Sequence, residues 1–167
     1  MKQKKVKEGH EKAIGRQLLK ALKLNGKFLR HGEDECEPDL IYSLDGKTVG
    51  VEIATAFYHN KQAEIESHLV LGKLNSGQFG TPLGVPKDQD KVILSGAQWE
   101  LDEKCANGYA GDEVWLCIHL QAPLLEKSEA EQLADAIIIP ARHKFARIYF
   151  GFHALFDGKG FTVLRRF

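Results

Sequence analysis

Asp45-Gly46, set between Leu40-Ile41-Tyr42-Ser43-Leu44 and Lys47-Thr48-Val49-Gly50-Val51, constrains the fold of this chain more than any other feature. An Asp-Gly pair between two apolar runs signals a two-residue β-hairpin, because its tight turn needs positive φ at both central positions. The loop length then dictates the register. Leu44 faces Lys47, Tyr42 faces Val49, Leu40 faces Val51, and Asp39 faces Glu52. Successive side chains on a strand point to opposite faces. Leu40, Tyr42, Val49, Val51 and Ile53 therefore share one apolar face, while Asp39 and Glu52 meet on the other. Opposed residues hold their Cβ atoms about 4.5–5.5 Å apart. Two carboxylates that close repel unless a cation lies between them or one takes up a proton. An oxygen-preferring divalent ion, Mg²⁺ or Mn²⁺, suits such a pair. The plain alternative is two solvated acids outside an edge hairpin. Against it stands the apolar continuation Ile53-Ala54-Thr55-Ala56-Phe57, which fits a sheet covered on both sides with the acids near one end.

The 167 residues imply a single domain, 1–167, large enough to bury a core without staples. Lys+Arg and Asp+Glu are both 23, so no overall charge draws the chain to nucleic acid, and any such binding must rest on local patches. The odd count of cysteines (Cys36, Cys105, Cys117) argues against a disulfide framework, and Cys105 and Cys117 read as buried thiols in apolar segments. No apolar stretch follows the basic N-terminus, so the expectation is a cytoplasmic protein without signal or membrane span.

Residues 8–24 carry Ile14, Leu18, Leu19 and Leu22 at helical spacing, with Asn25-Gly26 as the stop. Glu11 extends that apolar stripe, either as an acid needing a partner or as one near the exposed helix end. The hairpin over 38–55 follows. An irregular insertion covers about 57–89, with a helix over 60–73 and then a loop rich in Gly and Pro, either a substrate-facing flap or a tolerated insertion. A second core helix spans 90–107, with Leu94, Ala97, Leu101 and Cys105 on one stripe. Residues 113–120 form a nearly continuous apolar run, hence a buried strand. Ser128-Glu129-Ala130-Glu131 matches a capping box and opens a helix to about Ile137. Strands over 147–153 and 161–166 complete the order α-β-β-(insertion)-α-β-α-β-β, joined by a turn at 157–160.

An α-β-β-β-α-β core with an acid near the start of one strand and a glutamate on the next resembles the PD-(D/E)xK nuclease-like superfamily. The residues that carry the resemblance are Pro38-Asp39 for the PD element and Glu52-Ile53-Ala54 for the ExK element. The motif covers roughly residues 8–55, and residues 90–166 match by element order alone. The resemblance implies an α/β fold of the restriction endonuclease-like kind, a three-layer core with a mixed central sheet flanked by helices. It implies metal-assisted hydrolysis of DNA phosphodiester bonds by an endonuclease, with one or two Mg²⁺ (or Mn²⁺) ions polarising the phosphoryl oxygen and acidifying a water. Asp39 and Glu52 would be the metal ligands, the carbonyl of Ile53 a third, and Glu11 the acid contributed by the first helix. The partner would be the phosphate backbone of DNA, and a homodimer is common among such nucleases.

The chain departs from this pattern at Ala54, which stands where the family has its lysine. Lys104, on the core helix three residues past Leu101, is the first substitute, and Lys91 the second. His59 and Lys61 follow the strand and could swing back. The same departure keeps open a degenerate member of the fold that binds nucleic acid or protein without cutting. Glu37 would face Ala54 if the ladder ran on, but it sits in the acidic run 33–37, and such runs are usually solvated loops. Arg142-His143-Lys144 with Arg147, and Arg165-Arg166, could grip phosphates or be plain surface. No zinc-type His/Cys spacing, P-loop, GxGxxG or GxSxG is present.

Overall fold

The computed structural model describes residues 2–57, 89–121, 126–154 and 160–167. The expected helix over 60–73, with His59 and Lys61, falls outside the described residues, as does most of the turn at 157–160. Helix α1 (Lys2–Ala21) leads into strands β1 (Gly26–His31), β2 (Leu40–Leu44) and β3 (Lys47–Phe57). Then come α2 (Gln89–Ala106), β4 (Val114–Gln121), α3 (Lys127–Ala136), β5 (Arg147–Ala154) and β6 (Gly160–Arg166). The six strands form one mixed sheet in the order β1-β2-β3-β4-β5-β6. β1, β2 and β3 are antiparallel, β3, β4 and β5 run parallel, and β6 returns antiparallel.

The hairpin has the register that its turn dictates, from Leu44↔Lys47 to Leu40↔Val51. Asp45 (φ 49°) and Gly46 (φ 81°) take the positive φ values of a type I′ turn. Leu40, Tyr42, Val49, Val51 and Ile53 pack with Ile14, Leu18 and Leu19 of α1 on one face of the sheet. Ala54 and Ala56 turn to the other face, where Ile93, Ala97 and Leu101 of α2 and Ala130, Leu133 and Ala134 of α3 cover β4 and β5. Helices thus lie on both sides of a mixed sheet, and each fully buried Leu or Ile contributes about 1.5–3 kcal/mol. β4 is buried from Val114 to Leu120, as its nearly continuous apolar run, broken only by His119, requires.

Four expectations are corrected. The strand β1 was not foreseen by the residue pattern. It is an edge strand with only Phe28 packed on the core, and a bulge between Phe28 and Arg30 leaves Leu29 48% exposed, so alternation is lost. Helix α1 starts at Lys2 rather than 8, on a solvated turn supported by the Lys4–Glu8 pair. It ends through Lys23 (φ 56°), with the Leu24 N–H donating to the Leu19 carbonyl at 2.9 Å, not at Gly26, which already belongs to β1. Helix α3 is capped two residues earlier than Ser128, at Glu126. The Glu126 N–H donates to Glu129 Oε2 at 2.8 Å, so Glu129 fills the role expected of Glu131. Cys117 is buried as expected, but Cys105 is only partly so; all three cysteines are free thiols. No helix among the described residues is long and apolar enough to cross a membrane.

Candidate active site

The ladder between β2 and β3 stops at Leu40↔Val51, while β3 runs on to Phe57 paired only with β4. The sheet splits there, and the split leaves backbone donors that must be satisfied. Two carboxylates do so reciprocally. The Asp39 N–H donates to Glu52 Oε2 at 3.1 Å, and the Ile53 N–H donates to Asp39 Oδ2 at 2.9 Å. Asp39 and Glu52 are therefore brought side by side where the strands part. Gly50 is part of this construction, because a Cβ there would collide with the ring of Pro38. Gly50→Ala is expected to push Pro38 and Asp39 away from β3 and destabilise the fold by about 1–3 kcal/mol. Urea unfolding that showed no loss for this variant would contradict the close packing.

Glu52 is 4% exposed. Its Oε1 accepts hydrogen bonds from Lys104 Nζ at 2.8 Å and from the Tyr109 hydroxyl at 3.1 Å. Burial, followed by the charge of Asp39, raises the Glu52 pKa against the opposing pull of Lys104. For Lys104, burial alone would lower the pKa, but the hydrogen bond and charge of Glu52 win and raise it above the usual lysine range. Tyr109 is pushed up to about 12 by burial and then by Glu52. At neutral pH the lysine is an ammonium and the tyrosine a neutral phenol.

The opposite wall comes from α1. Glu11 is 6% exposed, and its Oε1 lies 3.2 Å from Lys7 Nζ, which also stands 3.8 Å from Asp39 Oδ1. Lys7 thus bridges Glu11 and Asp39. Burial and the Asp39 charge push Glu11 up to about 7 despite Lys7. The reading of Glu11 as an acid at an exposed helix end is overturned, since α1 begins nine residues earlier and buries it.

Asp39, Glu52, Ile53, Glu11 and Lys104 thus line one open cleft of about 1480 Å³. Ala54 lines it as well, packed into the α2-side core, so a cation at this site arrives from α2 instead of from β3. Lys91 lies on the exposed first turn of α2 and does not line the cleft. Glu37 is committed elsewhere. Both of its oxygens accept from Arg30, at 2.6 and 2.7 Å, which holds its carboxyl down at about 2 and ties the 32–37 loop to β1. Lys7 and Tyr109 were not singled out from the sequence. Lys7 had a signal, one helical turn before Glu11, which needed the correct start of α1; Tyr109 follows the Asn107-Gly108 stop and had none.

Among the described residues no three His, Cys, Asp or Glu side chains form a ready-made metal cage. The donors that would serve are the carboxylates of Asp39 and Glu52 and the carbonyl of Ile53, three residues that line the cleft. Such an all-oxygen set fits Mg²⁺ or Mn²⁺, because Mg²⁺ is held by one or two carboxylates and keeps several waters. The Lys7 ammonium beside Glu11 and Asp39 shows that this spot already attracts positive charge. No family model, curated protein or solved structure matches the chain. The chain is an α/β protein with a six-stranded mixed sheet and a carboxylate–lysine cleft at a strand split.

Proposed function

We propose that this chain is a metal-dependent nuclease of the PD-(D/E)xK kind, with a restriction endonuclease-like three-layer core, that hydrolyses DNA phosphodiester bonds using Mg²⁺ or Mn²⁺. The observation that carries the reading is the ammonium of Lys104, 2.8 Å from Glu52 Oε1, beside the Asp39–Glu52 pair. Two acids and a lysine are the set that the resemblance calls for, and α2 supplies the cation that Ala54 lacks. The order α1-β1-β2-β3 followed by α2 and β4 also supports it. So does the size of the cleft. At about 1480 Å³ it exceeds the roughly 300–1,000 Å³ of a small-molecule pocket and suits an extended chain.

Asp39, Glu52 and the Ile53 carbonyl would hold the ion, which when bound polarises a phosphoryl oxygen and acidifies a water. The rest falls to side chains. Lys104 keeps its proton at neutral pH, so it does not act as a general base. It orients the attacking water by donating to it, and stabilises negative charge developing on the phosphate. Tyr109 stays protonated and steadies the shared Oε1 of Glu52. Wild-type protein is expected to nick supercoiled plasmid or cut single-stranded DNA with Mn²⁺ or Mg²⁺, and Glu52→Gln to lose on the order of 10²-fold or more of that rate.

A second reading is a catalytically degenerate protein of the same fold that serves as a binding module. It is favoured by the cleft's charge: among the described residues, nine carboxylates and only three lysines line it. Absence of cleavage, together with no heat of Mg²⁺ or Mn²⁺ binding, would decide for it.

A further inference from the structure

Among the described residues lining the cleft are nine carboxylates and three lysines, and with Glu37 neutralised by Arg30 the remaining acids still outnumber the cations, so a DNA strand drawn to it needs positive charge outside the acid cluster. The loop between α3 and β5 carries that charge. Phe145 is 5% exposed and packs its ring against Tyr109, with centroids 5.3 Å apart. Tyr109 in turn donates to Glu52. This anchor ties the loop to the wall of the cleft. His143 stacks on Phe145, with centroids 6.3 Å apart. Lys144 Nζ comes within 3.5 Å of the point where a Cβ on Gly108 would sit, and Gly108 itself lines the cleft. Arg142, His143 and Lys144 are all exposed. Arg147 is set apart from them, since its guanidinium lies over Trp115, which packs on the α1 side of the sheet.

We infer that Arg142 and Lys144 form a phosphate-binding rim that seats the backbone of a DNA strand beside Tyr109, at the mouth of the Glu52 cleft. The inference rests on the nuclease reading. Phe145 and Tyr109 set the position of Lys144 relative to Glu52, and Arg142, exposed two residues earlier on the same loop, adds a second positive charge to the attraction that the cleft's own charge denies. Contacts of this kind position a strand without reading its sequence.

The test is binding of a fluorescently labelled DNA oligonucleotide by anisotropy, in Ca²⁺ and over a range of NaCl concentrations. Compared are wild type, Lys144→Ala, Arg142→Ala/Lys144→Ala, and Lys127→Ala as a control on α3 away from the cleft. Each rim substitution is expected to lower the slope of log K against log salt by about 1, and the double variant to weaken binding ~10-fold or more at moderate salt. Lys127→Ala is expected to bind as wild type. Equal binding by wild type and the double variant overturns the rim and leaves the nuclease reading standing, as does equal weakening by Lys127→Ala. No binding by wild type overturns the rim, and plasmid cleavage by the same preparation then decides separately whether the nuclease reading falls with it.

Discussion

Lys104→Met is expected to destabilise the protein by about 3 kcal/mol at pH 8 and by much less at pH 5. Lys104 and Glu52 form an ion pair whose side chains are 22% and 5% exposed, so removing the lysine leaves a buried carboxylate with Tyr109 as its remaining side-chain donor. Breaking a buried pair from one side is costly because the other charge stays desolvated. The pH dependence follows from Glu52. Its folded pKa is already raised above the ordinary value of 4.5, and loss of Lys104, which opposes the rise, raises it further. A carboxyl whose folded pKa exceeds its unfolded one binds more protons in the folded state. Its stability contribution is full below about 4.5 and is lost as pH climbs through the folded value. The variant's urea midpoint should therefore fall more steeply between pH 5 and 8 than that of wild type. Nicking with Mn²⁺ should drop by ~10²–10³-fold, because the ammonium that stabilises developing charge is gone. A stability loss of equal size at both pH values would contradict the coupling of the loss to the ionisation of Glu52.

The hairpin and its register were legible because a two-residue Asp-Gly loop leaves no freedom: given Asp45-Gly46, Leu40 must face Val51. From that register alone Asp39 and Glu52 fall together, and the alternation of β3 puts Ala54 and Ala56 on the face opposite Val51 and Ile53. Lys104 was legible through helix periodicity, since it follows Leu101 by most of a turn and Leu101 is fully buried. What was hidden depends on neighbours that are distant in sequence. No local pattern reveals that the β2–β3 ladder stops at Leu40, so the reciprocal capping of the Asp39 and Ile53 N–H groups by the two acids had to be seen. β1 escaped because an edge strand with a bulge keeps no period of 2. Lys7 escaped with the first turns of α1, whose lysines are polar all round and offer no apolar stripe. Tyr109 gains its place from a loop contact, the Ala110 N–H donating to the Cys36 carbonyl at 2.7 Å, which sequence spacing does not encode.

Glu11→Gln is expected to leave stability nearly unchanged at pH 4 and to raise it by roughly 1–3 kcal/mol at pH 8, in the absence of divalent ions. Burial is the first cause of the raised Glu11 pKa and the charge of Asp39 the second, and together they carry it from 4.5 to about 7 although Lys7 opposes them. With the folded value above the unfolded one, the folded protein binds more protons between about pH 4.5 and 7, and wild-type stability falls across that window. Glutamine copies the protonated acid at every pH, so the variant escapes the fall. Urea unfolding at pH 4, 6 and 8 with a chelator measures this, and equal midpoints for the two proteins at pH 8 would sink the assignment. The same charge balance bears on function. Among the described residues, Glu11, Asp39 and Glu52 are in salt-bridge distance of two ammonium groups, those of Lys7 and Lys104. One negative charge is left over among side chains that are themselves largely buried, and a divalent cation at Asp39 and Glu52 would compensate it. Added Mg²⁺ should then stabilise wild type at pH 8, by an amount that grows with the logarithm of its concentration, and the advantage of Glu11→Gln should shrink as it does. A site that is destabilising when empty and relieved by a cation is one whose acids are kept for binding rather than for the fold.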